Sequence, residues 1–120
     1  MAVEQYIDNE AVGRAKQRLL TPRTFREARR VLECLCDPTR LQIVRALQAD
    51  ALAVTDLARI IGRSRSATSQ HLRVLREAEA VRTERTGNII RYKLSEDVTA
   101  EVLDAVGSAF DLLAPATGRA

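Results

Sequence analysis

Apolar side chains recur at helical spacing along most of this chain, and one stretch of strand composition interrupts them. Residues 1–20 read as a polar arm with a helical look, carried by Ala11, Val12, Ala15 and Leu19. Thr21-Pro22 is an N-cap followed by Pro at the first helical position. The helix it opens should run to about Cys36, with Phe25, Ala28, Leu32 and Leu35 as a buried stripe. Asp37-Pro38 repeats the signal, because Pro38 pushes Asp37 out of helical geometry. The next helix should bury Leu41, Ile43, Val44 and Leu47.

After an Ala-rich link around Asp50, Thr55 can cap a short helix that ends at Gly62. Ser64 or Ser66 can cap a second one running to about Glu79. Its inner face would be Ala67, His71 or Leu72, Leu75 and Ala78. Residues 81–85 and 89–94 then show strand composition around Thr86-Gly87-Asn88, where Gly and Asn tolerate the positive φ of a tight hairpin. Ser95 or Asp97 would cap a last helix with Val98, Val102, Leu103, Val106, Phe110 and Leu113 on one side. The expected fold is mostly α with a β-hairpin wing, a winged helix-turn-helix of order α-α-α-α-β-β-α with an N-terminal helical arm. The expected organisation is an arm over 1–20, a DNA-binding and dimerisation domain over 21–114 and a tail over 115–120.

Charge changes this picture from fold to partner. The chain of 120 residues carries a net charge of only +3, but its placement is uneven. Residues 55–93 hold nine basic and four acidic side chains, a local +5 that leaves −2 elsewhere. A basic centre with acidic flanks is the footprint of a phosphate-contacting module. A solvated helix face rich in Arg is the plainer account. Two short helices meeting at a glycine, the second opening with small hydroxyl, Gln and Arg side chains, is the pattern of a helix laid into duplex DNA.

On that reading Arg63, Ser64, Arg65, Ser66, Thr68, Ser69, Gln70, His71 and Arg73 lie at or near the groove. Gln70 is the candidate base reader, since Gln can pair bidentately with adenine. Arg63 and Arg65 would neutralise phosphate at the helix entrance, and Ser66, Thr68 and Ser69 would touch phosphates or cap the helix. Arg82, Arg85, Arg91 and Lys93 decorate the wing, and Arg85 and Arg91 flank its turn, within reach of the adjacent minor groove. Charges on edge strands also prevent aggregation, and both roles can hold together.

Other classes lose support. The single histidine, His71, cannot make a metal site or a catalytic dyad alone. There is no nucleophile-elbow glycine pattern and no phosphate-cradling loop, so no enzyme is expected. No apolar run approaches the roughly 20 residues that cross a bilayer, and residues 1–10 lack the apolar core of a signal peptide. The expected location is cytoplasmic, where Cys34 and Cys36 stay reduced. Two helical positions stand about 200° apart, so both thiols cannot face one ion in a regular helix. Cys36 shares a face with Leu32 and Phe25 and is expected in the core, while Cys34 points elsewhere, towards a partner subunit. The pair can be structural, a metalloid or soft-metal site, or a redox switch. No organic cofactor is evident.

The apolar faces of the first full helix and the last one need cover. A second copy packed about a two-fold axis would supply it, and two recognition helices roughly 34 Å apart suit duplex DNA. The other possibility is that both faces close the core of a monomer.

These residues also match a family. Leu35-Cys36-Asp37-Pro38-Thr39-Arg40-Leu41-Gln42-Ile43 resembles the Leu-Ala-Asp-Pro-Thr-Arg-Leu-x-Ile segment of the ArsR/SmtB winged-helix repressors. Val54-Thr55-Asp56-Leu57-Ala58 resembles their next helix, residues 66–75 their Ser-x-x-Ser-x-His-Leu-x-x-Leu recognition helix, and residues 87–94 their wing. The resemblance, over roughly residues 25–113, implies a homodimeric repressor released from its operator by a small effector, often a metal ion, a metalloid or a sulfur oxidant.

Three departures stand out. Ala53 occupies the place of the Cys in the family's best-known metal box. Glu96, Val98, Ala109 and Leu112 fall where members with a zinc site on the last helix supply Asp, two His and Glu. Glu79 stands where a Gly usually follows the recognition helix. The alternatives kept open are a winged-helix regulator with no small-molecule effector, and a protein-interaction module.

Overall fold

Hydrogen-bonding residues at the element ends set the architecture of the computed structural model, which describes residues 5–114 (backbone only at 24, 25 and 27). Asp8 accepts the amide of Ala11 and starts α1 (Asn9–Lys16), none of whose residues is buried. The helix α2 (Pro22–Leu35) follows, and the Asp37-Pro38 step separates it from α3 (Pro38–Leu47). Asp37 is the α3 N-cap and accepts the amide of Arg40 at 3.0 Å. As expected, α3 buries Leu41, Ile43, Val44 and Leu47.

The cap of α4 (Val54–Ile61) differs from expectation. Ala53 stands at the N-cap with no side-chain bond, and Thr55 lies inside the helix. The preceding Leu52 is tied instead to the wing, exchanging backbone hydrogen bonds with Tyr92 at 2.8 and 3.0 Å. Gly62 ends α4 in the left-handed region at φ 69°, a conformation that costs glycine little. The amide of Arg63 then returns to the carbonyl of Ala58.

Ser64 caps α5 (Arg65–Glu77) by accepting the amide of Ala67. Two strands, β1 (Val81–Thr86) and β2 (Ile89–Leu94), pair antiparallel from Val81↔Leu94 to Thr86↔Ile89. Their two-residue turn places Gly87 at φ 63°, whereas Asn88 does not take a positive φ. The last helix, α6 (Ala100–Leu113), is capped by Thr99 rather than by Ser95 or Asp97. Val98 is buried just before it.

Leu35, Ile43, Val44, Leu57, Leu72, Leu75 and Leu103 have essentially no exposed surface and join α2, α3, α4, α5 and α6 into one core. Burial of such a side chain stabilises by about 1.5–3 kcal/mol, so this cluster decides how α5 is held.

Two assignments from the sequence change. On α2 the inner face is Val31, Cys34 and Leu35, while Leu32 remains 42% exposed and Cys36 is exposed. Both stripes of α2 are apolar, so periodicity alone could not say which one meets the chain's own core. The side chain of Phe25 lies outside the described residues, as do residues 115–120. Among the described residues no helix is long and apolar enough to cross a membrane.

Candidate nucleic-acid interface

The surface that α5 offers to solvent follows from how its other side is anchored. Leu72, Leu75 and Ala78 are buried, and Thr68 joins them with no exposed surface. The Thr68 hydroxyl donates to the carbonyl of Ser64 at 2.8 Å. Thr68 was expected at the groove, and its burial corrects that. A β-branched side chain one turn into the helix satisfies its own hydroxyl locally and packs inward. Ala67 and His71, expected inside, are only half-buried.

With that face turned in, Ser66, Ser69, Gln70 and Arg73 project outwards at the i, i+3, i+4, i+7 spacing of one helix face. Arg63, Ser64 and Arg65 are exposed at its N-terminal end. Ser64 is occupied as the cap, so its hydroxyl already has a partner. Arg73 reaches forward to Glu77 at 3.3 Å, with both side chains at least 70% exposed. Such a pair is worth little in water and leaves the guanidinium free to exchange partners.

The wing brings the remaining candidates. Arg85 is exposed at the turn and donates from Nε to the carbonyl of Gly87 at 3.1 Å. Arg91 is half-buried and stands opposite Glu84 in the ladder. Lys93 pairs with Glu84 at 3.3 Å, so one wing cation is already matched. Arg82 is exposed on β1.

His71 has a neighbour that sequence reasoning passed over. Arg40 of α3 places Nη1 3.5 Å from His71 Nδ1 and donates from Nε to the carbonyl of Cys34 at 3.0 Å. Its Nη1 also lies 3.9 Å from Asp37. One guanidinium thus ties the end of α2, the cap of α3 and the middle of α5. Arg40 stood in the quoted Asp-Pro-Thr-Arg segment, but a lone Arg near a helix start carries no signal of a contact 31 residues away. The backbone amide of Arg40 is the main reason the Asp37 carboxyl titrates below its ordinary value.

The thiols are separated. Cys34 is 6% exposed, and its Sγ lies 3.8 Å from the carbonyl of Val74. Burial pushes this thiol up, against the opposing pull of Arg40. The expectation that Cys36 is core and that Cys34 points away from it is therefore corrected: Cys34 is buried, α2 stops at Leu35, and Cys36 stands past it, exposed. Among the described residues no three His, Cys, Asp or Glu side chains gather where they could hold a metal ion.

Comparison with known proteins follows the same elements. Residues 37–83, from the α3 cap into β1, match the family described as bacterial regulatory protein, arsR family. The chain is 44% identical over 73 residues to the HTH-type transcriptional regulator NmtR of Mycobacterium tuberculosis, covering 61% of each protein. It thus spans less than two thirds of that relative. It is 30% identical over 90 residues to the arsenical resistance operon repressor of Staphylococcus xylosus, covering 75% of this chain and 83% of the other. A homodimeric winged helix-turn-helix DNA-binding domain from Mycobacterium bovis superposes with a TM-score of 0.65 at 23% identity, covering 96% of this chain and 94% of that one. With the same helix pair, glycine turn and wing, this chain is a winged helix-turn-helix protein of the arsR family of bacterial regulatory proteins.

Proposed function

We propose that this chain is a sequence-specific repressor that binds operator DNA as a homodimer and is released by a small effector. The observation that carries the reading is the outward face of α5, with Ser66, Ser69, Gln70 and Arg73 in one row and exposed Arg63 and Arg65 at its head. Gln70 reads a base edge. Arg63, Arg65 and the wing residues Arg85 and Arg91 hold phosphate, and phosphate contacts set register without reading sequence. Residues 21–114 are the DNA-binding and dimerisation domain, 1–20 the arm and 115–120 the tail, and the protein works in the cytoplasm.

The homodimer reading is supported by a continuous apolar trough between α2 and α6. Two hollows of about 660 and 570 Å³ share Leu32 and Cys36, with Phe110 and Leu113 at one end and Leu20 and Ala28 at the other. Leu20, Leu112 and Leu113 are 67–84% exposed in the single chain. Apolar surface of this extent marks an interaction site, and a two-fold copy covers both faces at once.

For release, Cys36 is the thiol exposed in the single chain, and a metalloid, a soft metal or an oxidant taken up there would compete with the two-fold contact, whereas Cys34 is buried in the chain's own core. Cys34 and Cys36 do not converge within one chain, which favours as second reading a regulator of the same fold with no thiol effector.

Fluorescence anisotropy of the reduced protein tests this, on DNA from just upstream of its own gene and on a scrambled duplex, with and without arsenite. Selective binding is expected, falling with salt by a log–log slope near −0.9 per phosphate contacted. Arg65→Ala should weaken all sequences alike, and Gln70→Ala should relax preference at one base pair. Absence of binding to every duplex would remove the proposal in favour of an interaction module. Selective binding that arsenite leaves unchanged would keep the repressor and remove the thiol effector.

A further inference from the structure

A strongly charged hollow lies beside the C-terminal half of α5, on the side turned towards α2. Between α2 and the inner end of α5 is an open cavity of about 580 Å³, within the range of small-molecule sites. Four guanidiniums line it: Arg26, Arg29 and Arg30 from α2 at the i, i+3, i+4 spacing of one helix face, and Arg40 from α3. Its floor is apolar, made by Cys34, Val74 and Ala78. Two carboxylates share the rim. Glu33 is engaged with Arg29 at 2.7 Å, and Glu77 with Arg73 on the outer side of α5. The lining therefore keeps a surplus of positive charge, and the buried Cys34 thiol adds no negative charge to the floor.

We propose that this cavity is an effector site for a small organic anion: a carboxylate or phosphate ester whose charged oxygens meet Arg26, Arg30 and Arg40 and whose compact apolar body rests on Val74 and Ala78. Planar guanidiniums present forked donors that match carboxylate and phosphate oxygens. A cation reading fails on the same lining, because Glu33 and Glu77 are already paired and four guanidiniums stand beside them, of which Arg30 also reaches Glu79 in an exposed pair that solvent screens. The floor is set apart from the groove row, since Val74 and Ala78 lie to one side of Ser66, Ser69, Gln70 and Arg73, and only Glu77 at the rim continues that row.

The site has a route to DNA binding. Its walls are α2, which carries the apolar trough, and α5, which carries the groove residues. Arg40 lies between them, holding the Cys34 carbonyl and standing 3.5 Å from His71 of α5. An anion drawing Arg40 and Arg30 inwards changes how α5 is braced against α2. A ligand shifts an equilibrium only by its differential affinity for the two states, so the same anion must bind operator-bound and free protein differently. This regulation rests on the repressor reading, but the binding site does not.

The test is isothermal titration of the whole chain with phenyl phosphate, citrate and inorganic phosphate, each against sodium chloride at matched ionic strength. At least one should bind at one equivalent per chain, with phenyl phosphate tighter than inorganic phosphate because of its apolar body. Arg26→Ala with Arg30→Ala should weaken that binding by about tenfold or more, as loss of charge-assisted bonds does. Operator affinity without anion should be unchanged in that variant. Arg65→Ala should do the reverse, weakening DNA and leaving the anion untouched. No saturable binding of any of the three anions would overturn the site, as would binding that survives the double change or is lost with Arg65→Ala. Anion binding with no DNA binding in any protein would retain the site while removing the repressor reading.

Discussion

Cys34 and Cys36 stand two residues apart at one helix end and belong to different environments. Cys34 lies on the face of α2 that packs against α3 and α5, with Leu35 beside it. Cys36 lies on the side shared with Leu32, open next to Phe110 of α6. Both faces are apolar in sequence. One is buried by the chain's own helices, and the other is left partly open by the described residues of the single chain. An apolar stripe thus reports that a face will be covered, and says nothing about whether the cover comes from the same molecule.

The largest expected effect separates the two faces. Leu35→Ala removes a fully buried side chain and should cost about 2–5 kcal/mol, read from urea unfolding. Leu32→Asp should leave the fold intact but shift the protein to monomer in sedimentation velocity and weaken operator binding with it. Comparable loss of folding stability in both variants would erase the distinction between the faces.

A middle-sized effect lies at the junction between them. Asp37→Ala should cost about 1 kcal/mol by removing the α3 cap. Because the Asp37 carboxyl is held below its ordinary value, its contribution is complete above the unfolded carboxyl's titration near about 4. It should fade as pH falls through the lower folded value. Unfolding curves from pH 6 down to 2.5 should therefore show a smaller acid-side loss in Asp37→Ala than in the parent; parallel curves would deny the linkage.

The two left-handed helix ends sharpen the comparison further. At Gly62 the conformation is cheap. At Glu79 a residue with a side chain is forced to φ 61° where the chain leaves α5. The departure from the family's Gly thus becomes local strain, since the helix does not run on. Glu79 pairs with Arg30 at 3.2 Å, but both side chains are more than half exposed, so the pair offsets little. Glu79→Gly should stabilise by about 1 kcal/mol, and Gly62→Ala should destabilise by a similar amount. A thermal melt in which Glu79→Gly lowers Tm would show that the ion pair outweighs the strain.

The smallest effect concerns the thiols themselves. Cys36→Ser should change stability by no more than about 0.5 kcal/mol, as exposed substitutions usually do. Iodoacetamide should label Cys36 in the folded monomeric Leu32→Asp protein and reach Cys34 only on unfolding. Equal rates for both would mean that the face of Cys34 opens freely.

Much of the fold is legible in the sequence alone. The Asp37-Pro38 break, the Gly62 turn, the Ser64 cap, the α3 core positions and the hairpin around Gly87 are local events. Each rests on the conformational limits of one or two residues or on a hydrogen bond spanning three, and those limits are written in residue type. The outward row of Ser66, Ser69, Gln70 and Arg73 was legible for the same reason, since helical spacing places them together. Thr68 was misjudged because a hydroxyl side chain suits both a groove and a satisfied inner turn. The cap at Thr99 was missed because Ser95 and Asp97 offered the same chemistry at another offset, and the one at Ala53 because it has no side-chain acceptor to signal it.

What only the tertiary structure decided is which of two equivalent options each face takes. It placed Cys34 inside and Cys36 outside, tied Leu52 to Tyr92 and brought Arg40 to His71. It also gathered Arg26, Arg29, Arg30 and Arg40 round one cavity. These are long-range outcomes of how whole helices pack. Burial energy depends on area removed from water and not on which neighbour removes it, so a single chain's pattern carries the demand for contact without naming the partner.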